Sequence, residues 1–207
     1  SSYPHGIDMK SIDFYYSIGS RYSYLAQSQV PELERDFAVA VRWQPLNSDD
    51  LMQAAGRMPF AGPPPSTQYD PAYRTVDATR WAELYGIPYR EPDWSRIDFA
   101  RVNLAAVAAA DQADPRTFSQ RLFDLAFGQG ALEIGDDALR TAAEAVGLDG
   151  AKLLRDIDAP ETRARHHATI EAAVAAGAFG VPSFVIGGHL FWGNDRISLL
   201  RHHLADC

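Results

Sequence analysis

Three short runs, far apart in the chain, carry residue types that suit one ligand site: Ser20-Arg21-Tyr22-Ser23, Gly180-Val181-Pro182 and Gly193-Asn194-Asp195-Arg196. Ser20 stands where a strand-like run gives way to a helical one. A serine there has two uses. Its oxygen can cap the backbone N–H groups that open the helix, and its hydroxyl can donate a hydrogen bond to an anion such as a thiolate, aided by the positive helix end. Ser20 and Ser23 have the spacing of a Cys-x-x-Cys pair, with both thiols replaced by hydroxyls. The one cysteine is Cys207, the last residue, so there is no intrachain disulfide, no cysteine-rich metal site and no dithiol pair. Asn194 and Asp195 open a second helical run, where either side chain suits a cap and Asp195 also offers a carboxylate to a cation.

The elements that must hold these runs follow from hydrophobic spacing. Ile12 to Ser17 is aromatic and β-branched and predicts a buried strand, and Val39 to Trp43 predicts a second. Between them, Tyr22, Leu25, Ala26, Val30, Leu33 and Phe37 predict one helix over 22–37. Ligands of such β-α-β units usually meet the loop after a strand, which is where Ser20 lies. From Asn47 to Ala178 strand signals are absent. A loop containing Gly62-Pro63-Pro64-Pro65-Ser66 is followed by helices predicted over 71–85, 99–112, 115–128, 136–146, 151–157 and 160–176. Asp98, Asp114 and Asp136 are expected N-caps; Gly86, Gly147 and Gly177 are expected stops. Ser183 to Ile186 and His189 to Trp192 flank Gly187-Gly188 and predict a hairpin, closed by a helix over 195–204. The expected fold class is α/β: β-α-β, a large all-helical insertion, then β-β-α. The expected division is 9–46 with 178–207 as one domain and 47–177 as the insertion, with residues 1–8 set aside as an extraneous or frayed end.

Composition narrows the function classes. With 46% hydrophobic and 22% charged residues in 207, the chain has the makings of one sizeable core. A net charge of −8 argues against nucleic acid or an anionic membrane surface as partner. No apolar run nears the roughly 20 residues that span a bilayer, and no signal-peptide pattern opens the chain, so a cytoplasmic location is expected.

Beyond these readings, five motifs occur together and in order: Ile12-Asp13-Phe14-Tyr15; Ser20-x-Tyr22-Ser23-Tyr24-Leu25-Ala26; Arg80-Trp81-Ala82-x-x-Tyr85-Gly86-Ile87-Pro88; Phe179-Gly180-Val181-Pro182-Ser183-Phe184; and Phe191-Trp192-Gly193-Asn194-Asp195-Arg196. Together they resemble the 2-hydroxychromene-2-carboxylate isomerases, within the DsbA-like thioredoxin group that also holds the kappa-class glutathione transferases. The resemblance implies a thioredoxin-like fold interrupted by helices, a homodimer, glutathione as cofactor, and an aromatic keto acid as substrate. The implied reaction interconverts 2-hydroxychromene-2-carboxylate and trans-o-hydroxybenzylidenepyruvate, or close analogues, by reversible thiolate addition. A kappa-type transferase and a non-catalytic glutathione-binding module are the alternatives.

The same resemblance gives the site residues their roles. Ser20 would stabilise the glutathione thiolate. Val181-Pro182 would be a cis pair whose backbone meets the cysteinyl unit like an added strand. Asn194 and Asp195 would hold the γ-glutamyl end. By position rather than resemblance, Trp192 adjoins that turn and is a candidate to meet substrate, and Tyr22 either meets an aromatic substrate or packs against the helical block. Two departures stand out. Relatives commonly have proline where this chain has Arg21, a mobile charge near the proposed sulfur that could further favour the thiolate but is read first as solvent-exposed. They also tend to have a lysine for the glycyl carboxylate where this chain has Asp70, which leaves Asn47, Arg57 and Arg74 as candidates. His166-His167 and His202-His203 read as solvated faces, and Trp43, Trp81 and Trp94 as packing anchors.

Overall fold

The computed structural model describes residues 10–56 and 70–206. Its sheet has four strands in the order β2-β1-β3-β4: β1 Ser11–Tyr16, β2 Ala40–Pro45, β3 Ser183–Ile186 and β4 His189–Trp192. β1 runs parallel to β2, with Phe14 opposite Trp43, and antiparallel to β3, with Phe14 opposite Phe184. The β3-β4 hairpin turns at Gly187 and Gly188, whose φ angles of 54° and 80° are the left-handed values that a two-residue hairpin turn requires.

Alternation along β1 buries both faces of the sheet. Phe14 and Tyr16 point into a core in which the Phe14 ring lies 4.8 Å from Phe184 and 5.1 Å from Trp43. Each fully buried phenylalanine contributes about 1.5–3 kcal/mol relative to exposure. On the opposite face Tyr15 and Val185 meet Leu46, Leu51, Ile170 and Ala173.

Two helices connect β1 and β2, where the hydrophobic spacing predicts one. α1 spans Arg21–Gln27 and α2 spans Val30–Phe37. The break falls at Pro31, which lacks an N–H and whose ring clashes with the carbonyl four residues back, at Gln27. α1 is therefore only two turns long, and the dipole at its start is weaker than that of the predicted 16-residue helix.

The helical block contains α3 Ser48–Ala54, α4 Pro71–Tyr85, α5 Phe99–Ala109, α6 Arg116–Phe123 extended by a π turn at Asp124–Gly128, α7 Asp136–Ala145, α8 Gly150–Ile157 and α9 Pro160–Ala175. The last element is a 3-10 turn, Asn194–Arg196, leading into α10 Ile197–Ala205. Sheet and block share one apolar core, from Ile12 on β1 to Ile157 on α8.

Asp98 caps α5 through the N–H of Arg101, and Asp114 accepts from Arg116 N–H beside Pro115. The expected cap at Asp136 is displaced by one position. Gly135 opens α7, and Asp136 in its first turn pairs instead with Arg101 at 2.9 Å. α3 was not predicted, although Asn47 caps it by accepting from Asp49 N–H, and Asp49 and Asp50 suit its positive end. The proline-rich loop and Arg57 lie outside the described residues. No described helix is long and apolar enough to cross a membrane.

Candidate active site

The strand register brings the three runs to one end of the sheet. Tyr15 pairs with Ser183, so Val181-Pro182 lies beside the residues that lead from β1 into Ser20. Leu46 N–H donates to Tyr16 O at 2.9 Å, which sets Asn47 at the same end. α1 packs against the 3-10 turn that carries Asn194 and Asp195. The Val181-Pro182 peptide is cis, and Gly193 N–H donates to Pro182 O at 2.9 Å, tying the turn to the proline.

Ser20 is the N-cap of α1. Its Oγ accepts from Ser23 N–H at 3.1 Å. That use occupies a lone pair and leaves the hydroxyl proton available to donate, so capping and anion stabilisation are compatible.

The turn that presents Ser20 is held from behind by Asn103, a buried residue on α5 that the sequence reading missed. Asn103 Oδ1 accepts from Ile18 N–H at 2.7 Å, and its Nδ2 donates to Ser17 Oγ at 2.9 Å. The signal was present: Asn103 is the one amide in the run Phe99–Ala109, and a polar group on a buried helix face needs partners. Gly19 completes the fit, because a Cβ there would sit 3.0 Å from the Phe99 side chain at the start of α5.

A cleft of about 320 Å³ opens beside this turn, lined by Ser17, Gly19, Asn47, Ser48, Trp94 and Phe99 among others. Trp94 is 41% exposed here, and its ring meets Phe99 at 5.5 Å and Phe127 at 5.6 Å. The expectation of a packing anchor holds for Trp43, which is buried, while Trp94 packs against Phe99 and Phe127 and also lines the cleft.

Arg21 also departs from expectation. Only 11% of its side chain is exposed, because the guanidinium lies 5.2 Å over the Trp94 ring, beside Glu91. Packing by a flat aromatic partner 73 residues away could not be read from the local sequence.

Asn194 is buried and receives a hydrogen bond from the Tyr85 hydroxyl at 2.8 Å on its Oδ1. Burial pushes the Tyr85 pKa up to about 12, which keeps that hydroxyl a donor. Asn194 Nδ2 is buried with no hydrogen-bond partner among the described residues. Asp195 is exposed and pairs with Arg196 at 3.0 Å.

Tyr22 donates to Asp77 on α4 at 2.8 Å, beneath the Arg74 guanidinium 5.6 Å from its ring centre; burial raises its pKa to about 12. Asp70, the departure from the lysine of relatives, caps α4 by accepting from Tyr73 N–H at 2.9 Å. Trp192 is 42% exposed, with its ring 5.0 Å from Phe179.

Two histidines differ from the solvated reading. His166 is half-buried, and its Nε2 accepts from Asn47 N–H at 3.0 Å, linking α9 to the rim of the cleft. His203 packs against the rings of His189 and Phe191. His167 and His202 are exposed and pair with Glu171 and Asp206.

The DSBA-like thioredoxin domain family matches residues 11–205. The 2-hydroxychromene-2-carboxylate isomerase of Sphingobium xenophagum is 30% identical over 205 residues, covering 95% of this chain and 99% of its own. That of Pseudomonas putida is 26% identical over 190 residues, with 92% of each chain covered. A solved structure of a 2-hydroxychromene-2-carboxylate isomerase superposes with a TM-score of 0.81 at 25% identity, covering 95% of each chain. The chain belongs to the DSBA-like thioredoxin family and, within it, to the 2-hydroxychromene-2-carboxylate isomerase family. It is an enzyme of the isomerase class.

Proposed function

We propose that this member of the isomerase family uses glutathione to interconvert 2-hydroxychromene-2-carboxylate and trans-o-hydroxybenzylidenepyruvate, or a close analogue. The observation that carries the reading is Ser20, whose oxygen serves the helix while its proton stays free for a sulfur anion.

Glutathione would lie along the thioredoxin side of the site. Its cysteinyl backbone would meet Val181 beside Pro182. Its γ-glutamyl end would meet Asn194, whose unpartnered buried donor favours an acceptor there, and Asp195, which would exchange Arg196 for the ammonium. Asn47 at the cleft rim and Arg74 over Tyr22 are the described candidates for the glycyl carboxylate; Arg57 remains a candidate outside the described residues. The substrate ring would occupy the side bounded by the helical block, with Tyr22 and Trp192 at its edges.

Glutathione bound there would supply a thiolate nucleophile that adds reversibly to the conjugated double bond of the open-chain keto acid, permits rotation about it and leaves unchanged. Ser20 would hold its hydroxyl proton toward that sulfur, and the groups at the helical-block side would hold the substrate in place. A homodimer belongs to the same proposal.

Isomerisation followed with and without glutathione, with free thiol counted after many turnovers, tests the reading. A glutathione-dependent rate with thiol undiminished is expected. Consumption of thiol would favour a kappa-type transferase, and a rate indifferent to glutathione would defeat the mechanism.

A further inference from the structure

Arg21 carries an unpartnered buried donor, and it is this chain's own feature rather than part of the motifs above. Its Nη1 is buried and has no hydrogen-bond partner among the described residues. The nearest carboxylate, Glu91 Oε2, stands 3.5 Å from Nη2, beyond the range of a good N–H···O bond. Glu91 is already supplied by other donors: the Tyr89 hydroxyl reaches Oε1 at 2.6 Å and Trp94 Nε1 reaches Oε2 at 2.7 Å. Glu91 therefore offsets the charge of Arg21 without satisfying its fork. An unmet buried donor on a cation is costly, and a second carboxylate is the group that a guanidinium fork binds best.

The position of this fork decides what it would bind. The partners of Arg21, Glu91 and Trp94, lie in the helical block, and Trp94 lines the cleft together with Phe99. We infer that Arg21 receives the carboxylate of the aromatic keto acid, whose ring would lie against Trp94 and Phe99. This rests on the isomerase reading above and assigns that substrate's charged end. An arginine held flat on an indole loses little freedom when its ligand arrives.

Arg21→Met leaves Glu91 with two donors, so the fold should survive. Arg21→Lys keeps the charge without the fork. The test measures KM and kcat at saturating glutathione for the keto acid and for its methyl ester. Direct calorimetric binding of both compounds is measured alongside, and does not depend on turnover.

For Arg21→Met, KM and Kd for the acid should rise roughly ten- to a hundredfold, as expected for loss of a charge-assisted bond. Values for the ester and kcat should stay within about twofold, and Arg21→Lys should recover part of the loss. Equal weakening of acid and ester, or no weakening, would overturn the assignment. So would a changed glutathione affinity or bound-thiol pKa in Arg21→Met, because Arg21 would then act on the cofactor. If wild type binds the acid but does not isomerise it, the isomerase mechanism fails while the acid-ester comparison still judges Arg21.

Discussion

Ser20 caps α1 with the oxygen whose hydroxyl is proposed to serve the thiolate, and substitution can separate the two tasks. Aspartate caps helices as well as serine does, but its carboxylate donates no proton and repels a thiolate. Ser20→Asp is therefore expected to unfold within about 0.5 kcal/mol of wild type while losing nearly all glutathione-dependent activity. Ser20→Ala should lose activity and also about 1 kcal/mol of stability, the usual cost of removing a cap. Denaturant unfolding beside rate measurements checks both; an active Ser20→Asp would refute the role given to the hydroxyl. The same duality explains why this residue was legible in the sequence. Its cap and its proposed ligand both require a small hydroxyl at a strand-to-helix junction. Arg21 was not legible, because its environment is built by Glu91 and Trp94 across the fold.

At the scale of elements, the rim of the cleft depends on how α9 docks against α3. The His166 Nε2 bond to Asn47 N–H requires an unprotonated ring nitrogen. Burial holds the His166 pKa below its ordinary value, with Asp50 opposing the shift and neighbouring His167 adding to it. The folded state thus binds this proton less tightly than the unfolded chain. The stabilising contribution is complete above the unfolded value of about 6.5, and is lost as pH falls through the folded value. Thermal unfolding of wild type and His166→Gln should therefore diverge above about pH 6.5 and converge below it. A difference independent of pH would show that His166 does not titrate with folding.

Elements whose boundaries are set by local chemistry were legible. Pro71 and Gly86 bracket α4 as predicted, and Gly187-Gly188 sets the hairpin. The break between α1 and α2 was also written locally, in Pro31, but strong apolar spacing across it favoured a single helix. α3 escaped because seven residues with one buried leucine carry too little periodicity to register.

The whole molecule combines a sheet whose loops carry Ser20, Val181 and Asn194 with a helical block that supports the Ser20 turn through Asn103. The order β-α-β, helices, β-β-α could be read from periodicity because each strand is short, apolar and bounded by turn residues. Which helix supports the site could not. Asn103 lies 83 residues after Ser20 and reaches its turn only through the packing of α5. The family resemblance supplied what periodicity lacks, namely the expectation that Ser20, Val181 and Asn194 serve one site; the strand register brings the loops after β1 and before β3 to one end of the sheet.

The central claim is that Ser20 steadies the sulfur anion of bound glutathione, and the ionisation of that thiol measures it most directly. Thiolate absorbance of the glutathione complex, titrated against pH, should give a thiol pKa clearly below that of the free tripeptide, with Ser20→Ala returning it toward the free value. A bound thiol that ionises as it does in solution, or one that is unaffected by Ser20→Ala, would contradict the account.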